Sequence, residues 1–71
     1  MNEWIAARAR ALGVDDLTSD EIALLLDLAG HAAHESGART NAPLLCYLLG
    51  RAQASEGRSL AELAEIVRST S

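Results

Sequence analysis

Apolar residues recur every three or four positions through four stretches of the chain, and each stretch is bounded by residues that start or stop a helix. The first runs from Glu3 to Leu12. Asn2 precedes it as a cap, acidic Glu3 suits the positive end of the helix dipole, and Gly13 supplies a left-handed stop. Ile5, Ala9 and Leu12 share one face there, with Trp4 beside them as a lid over the core. After the acidic connection Val14-Asp15-Asp16-Leu17, Thr18 and Glu21 have the spacing of a capping box, so a second helix starts at that point.

At about 100° per residue, Ile22, Leu25, Leu26, Ala29 and Ala33 define the core face of this second helix. Leu24 and Leu28 fall well off that face, which leaves more than half of the circumference apolar and a narrow polar arc of Asp27, His31 and His34. A helix so apolar is either central to the fold or part of a subunit interface. The third helix begins near Asn41 or Ala42, where Asn41 is able to cap and Pro43 lies in the first turn, a position that needs no amide partner. Leu44, Leu45, Leu48, Leu49 and Ala52 form its core stripe. Tyr47, Gly50 and Ala54 lie opposite, as a stripe of little bulk that invites close approach by a neighbour, and Gly57 ends the helix. Ser59 and Glu62 form a second capping box; Leu60, Leu63, Ala64 and Val67 face inward, Ile66 flanks them, and the tail 69–71 frays. No stretch alternates as a strand does. The pattern predicts an all-α fold, a compact orthogonal or bundle-like arrangement of four short helices in one domain, 1–71.

Composition narrows what such a fold is able to do. Seventy-one residues without Phe must build their core from Leu, Ile, Val and Ala, and a chain this short has a marginal core and no room for an enzyme cleft. The net charge is −4, and all six basic residues are arginines scattered among acids, so the basic stripe of a nucleic-acid binder is missing. No apolar run approaches the roughly 20 residues of a membrane span. Met1-Asn2-Glu3-Trp4 lacks the character of a signal peptide. The expected setting is the cytoplasm, away from membranes and nucleic acid.

Candidate chemistry is sparse. Asp27, His31 and His34 share a helical face, but nothing else in the chain completes a metal site. Asp15 and Asp16 lack the glycine and terminal glutamate of a calcium loop. Cys46 is the single cysteine, with no adjacent base, and reads as a structural thiol. With no nucleophile and base, no paired carboxylates and no glycine-rich phosphate loop, the chain is expected to be non-enzymatic, with no metal and no cofactor. The strongest ligand candidate is the loop joining the second and third helices. There Arg39 precedes a helix N-terminus that favours phosphate or carboxylate, Thr40 and Asn41 add polar groups, Pro43 lies in the first turn, and His34 closes the other side. In the competing structural reading, Arg39 pairs with Glu35 while Thr40 and Asn41 only cap.

The stretches Trp4-Ile5, Leu12-Gly13-Val14, Leu26-Asp27-Leu28-Ala29 leading to Ala32-Ala33-His34, Arg39, Ala42-Pro43-Leu44 and Tyr47-Leu48-Leu49-Gly50 carry a resemblance. Through the third helix the chain resembles a small domain of unknown function from high-GC Gram-positive bacteria, found alone or fused to molybdenum cofactor guanylyltransferase-like proteins. Where that family tends to have a proline after the arginine and a threonine pair after Pro-Leu, this chain has Thr40 and Leu45-Cys46. The resemblance implies a non-catalytic accessory module near the step that attaches a nucleotide to molybdopterin.

Two functional expectations result. The first is an interaction module that forms a homodimer or docks on a cofactor-assembly protein through Leu24, Leu28 and the Tyr47, Gly50 and Ala54 stripe. The second is a binder of a pterin or nucleotide phosphate that uses His34, Arg39, Thr40, Asn41 and Pro43.

Overall fold

Hydrogen bonds local to the chain set where each helix starts. A computed structural model describes residues 2–70; Met1 and Ser71, the last residue of the expected frayed tail, lie outside the described residues. Helix α1 spans Glu3–Leu12, and the Asn2 side chain accepts from the Ile5 amide at 3.1 Å. Helix α2 spans Ser19–Ser36 and α4 spans Leu60–Ser69. Both open with the expected reciprocal boxes: Thr18 with Glu21, and Ser59 with Glu62. Helix α3 spans Asn41–Glu56. Gly13, Gly37 and Gly57 follow the first three helices with φ near +70°, a conformation that costs other residues strain. The described residues form an all-α bundle of four helices without strands.

Two local expectations change. Asn41 is the first residue of α3 rather than its cap; Thr40 occupies the cap position in helical geometry and makes no side-chain cap bond. The reason is a tight turn just before it, in which the Asn41 amide donates to the Ala38 carbonyl at 3.1 Å and the Ala42 amide to the Arg39 carbonyl at 3.2 Å. At the other end of the chain, Ser69 and Thr70 do not peel away. Their hydroxyls donate to the Glu65 and Ile66 carbonyls at 2.9 and 2.8 Å.

Three helices make the core. Leu28 of α2, Leu49 of α3 and Leu60, Leu63 and Ala64 of α4 are buried together, with Leu24, Leu25, Leu45, Ala52 and Val67 packed around them. The assignment on α2 holds for Leu25, which packs around this core, and changes at Leu24, Leu26 and Leu28. Leu28, placed off the core by the helical wheel, has no exposed surface, and Leu24 packs beside the core, whereas Leu26 is 69% exposed. Because α2 is apolar nearly all round, its own pattern does not choose a face. The choice is made by α3 and α4, which approach it on the Leu24 and Leu28 side.

Helix α1 stands apart. The close backbone approaches all lie among α2, α3 and α4, and no Cα of α1 comes within 8 Å of another helix. Ala9 is buried and Ile5 half-buried, but Leu12 points to solvent rather than sharing their face inward. A gap of about 260 Å³ separates Ile5 from Leu25 and Leu26 on α2, which is why Leu26 lacks cover. The radius of gyration, 12.4 Å, exceeds the ~11 Å of a compact chain of this length. Trp4 is no lid: its ring is largely exposed, with the Arg8 guanidinium 3.9 Å from the ring centroid. The ten-residue α1 does not reach the core on which such a lid would sit.

Candidate functional site

The loop between α2 and α3 places the predicted ligand residues near one another in sequence but does not assemble them into a cradle. His34, Arg39, Thr40 and Pro43 are exposed and Asn41 is half-buried. A helix N-terminus binds anions through amides that have no other partner. Here the Asn41 and Ala42 amides already donate within the turn, and Pro43 has none to offer. Arg39 makes no ion pair among the described residues, so the expected pairing with Glu35 is not formed. The end of α2 is closed by Ser36 rather than by His34: its hydroxyl donates to the Ala32 carbonyl at 2.6 Å and accepts from the Ala38 amide at 3.2 Å.

The polar arc of α2 is divided in the same way. Asp27 pairs with Arg68 of α4, which ties the end of α4 to α2. Among the described residues no group of three or more His, Cys, Asp or Glu is placed to hold a metal ion. Cys46 is half-buried on α3.

A concave surface runs from the end of α2 along α3 to α4. Leu44 and Leu48, expected in the core stripe of α3, are 60% and 55% exposed. Helix α4 is responsible, because its ten residues are too few to cover the sixteen of α3. Beside Leu48, an open groove of about 280 Å³ runs from His31, Ser36 and Asn41 down to Leu45, Val67 and Thr70. It shares Leu45, Leu48 and Val67 with a second hollow of about 210 Å³, lined by Leu49, Ala52, Leu63 and Ile66. The two form one continuous cleft with an apolar floor. Leu44 and Leu48 stand along one rim and Ile66, 46% exposed, along the other.

Of the interface residues expected from the sequence, Leu24 and Leu28 are thus consumed by the core, while Tyr47, Gly50 and Ala54 stay exposed. A Cβ added at Gly50 would meet nothing within 4 Å, so no helix of this chain uses the small stripe. Tyr47 is 66% exposed, with the Arg51 guanidinium 5.0 Å from its ring centroid. Both aromatics therefore carry an arginine one turn later. This spacing is visible in the sequence as Trp4 with Arg8 and Tyr47 with Arg51, and it is the signal of a solvated ring that a reading based on bulk passes over.

Comparison with known proteins adds one finding about the family. The profile of a domain of unknown function, DUF6457, matches residues 1–71. No curated protein and no solved structure matches the chain.

Proposed function

The chain belongs to the DUF6457 family of domains of unknown function, and from that premise we propose that it is a non-catalytic docking module whose working surface is the α3–α4 cleft. The observation that carries this reading is the contiguous apolar surface of Leu44, Leu48 and Ile66 around an apolar floor, left open because α4 is too short to close it. Large exposed apolar side chains gathered around one cleft mark an interaction site more often than chance exposure does. The function is to bind protein, either another copy of the chain or a cofactor-assembly enzyme.

The place of that enzyme in molybdenum cofactor synthesis is supported by the resemblance of Trp4-Ile5, His34, Arg39 and Ala42-Pro43-Leu44 to domains fused to guanylyltransferase-like proteins. A cytoplasmic setting agrees with that chemistry, and no helix among the described residues is long and apolar enough to cross a membrane. Titrating the chain into a molybdenum cofactor guanylyltransferase by calorimetry tests the assignment. Saturable binding weakened at least tenfold by Leu48→Glu is the expected result. Binding unaffected by Leu48→Glu and Ile66→Glu would remove the cleft from the account.

The competing reading, a pterin or nucleotide phosphate held by His34, Arg39, Thr40, Asn41 and Pro43, rests on the exposed Arg39, which makes no ion pair among the described residues. The Asn41 and Ala42 amides that would accompany the guanidinium are already engaged in the turn. Inorganic phosphate that shifts the Arg39 and His34 NMR signals saturably would favour it.

A further inference from the structure

We propose a second docking surface on α1, the row Trp4, Arg8 and Leu12, which binds a protein partner that presents a carboxylate beside an apolar pocket. It shares no residue with the α3–α4 cleft. The row follows from helix spacing: residues four apart are neighbours on a helix surface, so these three side chains line one side of α1, and Trp4 and Leu12 are 63% and 75% exposed. Packing within the chain does not account for them, because the α1 backbone approaches no other helix within 8 Å.

The guanidinium in the middle of this row is already positioned. Arg8 lies 3.9 Å from the Trp4 ring centroid, and its Nη1 donates to the Trp4 carbonyl at 3.4 Å. It makes no ion pair among the described residues, so its remaining N–H groups are open to a carboxylate, which a planar guanidinium grips by two parallel bonds. Trp and Arg are also the residue types that supply most of the binding energy at protein interfaces.

Charge along the chain selects the sign of the partner. Residues 1–14 hold two arginines against one acid, whereas residues 15–71 hold four arginines against nine acids. An acidic partner is repelled by the rest of the molecule and drawn to α1 over the ~8 Å that charges reach at physiological ionic strength. Glu3 and Asp16 leave the row unopposed, since they line a hollow with Ala6 on the opposite side of the helix.

The place of Arg8 separates a protein partner from a membrane. A helix that lies on a membrane keeps its basic residues on the face away from its Trp and Leu, but here the arginine stands between Trp4 and Leu12 in one row. A net charge of −4 disfavours nucleic acid in the same way.

Trp4 is the single tryptophan, so its fluorescence reports this surface directly. A displayed library of random peptides is selected against the intact chain, and the enriched peptides are titrated into it. Those that move Trp4 emission saturably to shorter wavelength should combine Asp or Glu with large apolar residues. They should bind Arg8→Gln and Leu12→Ser at least tenfold more weakly and Leu48→Glu with unchanged affinity, which separates this surface from the cleft. Arg8 and Leu12 are exposed, so helical circular dichroism should persist, and the Trp4 shift of the unaltered protein, with its loss at high salt, decides the matter even if a variant fails to fold. The proposal is overturned if no enriched peptide moves Trp4 emission, or if those that do lack acids or bind Arg8→Gln as tightly as the unaltered chain. A Trp4 shift on phosphatidylglycerol vesicles without any response to peptides would overturn it as well and assign α1 to a membrane surface.

Discussion

Leu28 and Leu26, two positions apart on α2, should respond oppositely to truncation. Leu28→Ala removes a side chain with no exposed surface from the contact of three helices, and a loss of about 2–5 kcal/mol in urea unfolding is expected. Leu26→Ala, at a position 69% exposed, should change stability by no more than about 0.5 kcal/mol. A reversed order would restore the face drawn on the helical wheel. The contrast shows what single residues disclose in sequence: the wheel identifies α2 as apolar, but with leucines at 24, 25, 26 and 28 the inward direction depends on where α3 and α4 land. Trp4 is a related case. Its bulk suggested burial, whereas the arginine four residues later, with its guanidinium over the ring, accompanies exposure.

The elements themselves were far more legible, because caps act within a few residues and need no tertiary knowledge. Asn2, the two capping boxes and the stops at Gly13 and Gly57 all lie where the sequence places them, and Gly37 adds a third left-handed stop after α2. Thr18→Ala and Ser59→Ala should each cost about 1 kcal/mol in thermal or urea unfolding. Thr40→Ala should cost almost nothing, since Thr40 makes no cap bond; a loss of equal size there would contradict the turn geometry. The same turn weakens the anion site, whose logic assumed free amides that Ala38 and Arg39 carbonyls already occupy. What sequence leaves open at this scale is how firmly an element docks. Helix α1 has sound caps, yet its backbone approaches no other helix closely. In native-state hydrogen exchange, α1 amides should exchange well ahead of those in the cores of α2 and α3, because little tertiary burial opposes their opening. Equal protection in all four helices would show α1 to be an integral part of the core.

At the scale of the whole molecule, one fact links stability to function: few side chains are buried, and a broad apolar cleft is open. A chain this short rarely gains more than about 3–5 kcal/mol from its own core, and the proposed association over Leu44, Leu48 and Ile66 would add to that with the logarithm of partner concentration. The sequence reading placed the surplus apolar surface at Leu24 and Leu28 on α2 and at the Tyr47, Gly50 and Ala54 stripe on α3, whereas Leu24 and Leu28 pack into the core and Leu44, Leu48 and Ile66 are left exposed. Only the relative lengths and packing of α3 and α4 move it to their shared cleft, and those are three-dimensional facts. The most direct measurement is therefore the solution mass of the intact chain by light scattering, alone from micromolar to millimolar concentration and mixed with the guanylyltransferase, alongside Leu48→Glu. The account predicts a complex for the unaltered protein, formed with a second copy or with the enzyme, and its loss in the variant. Identical curves for the two proteins would contradict it.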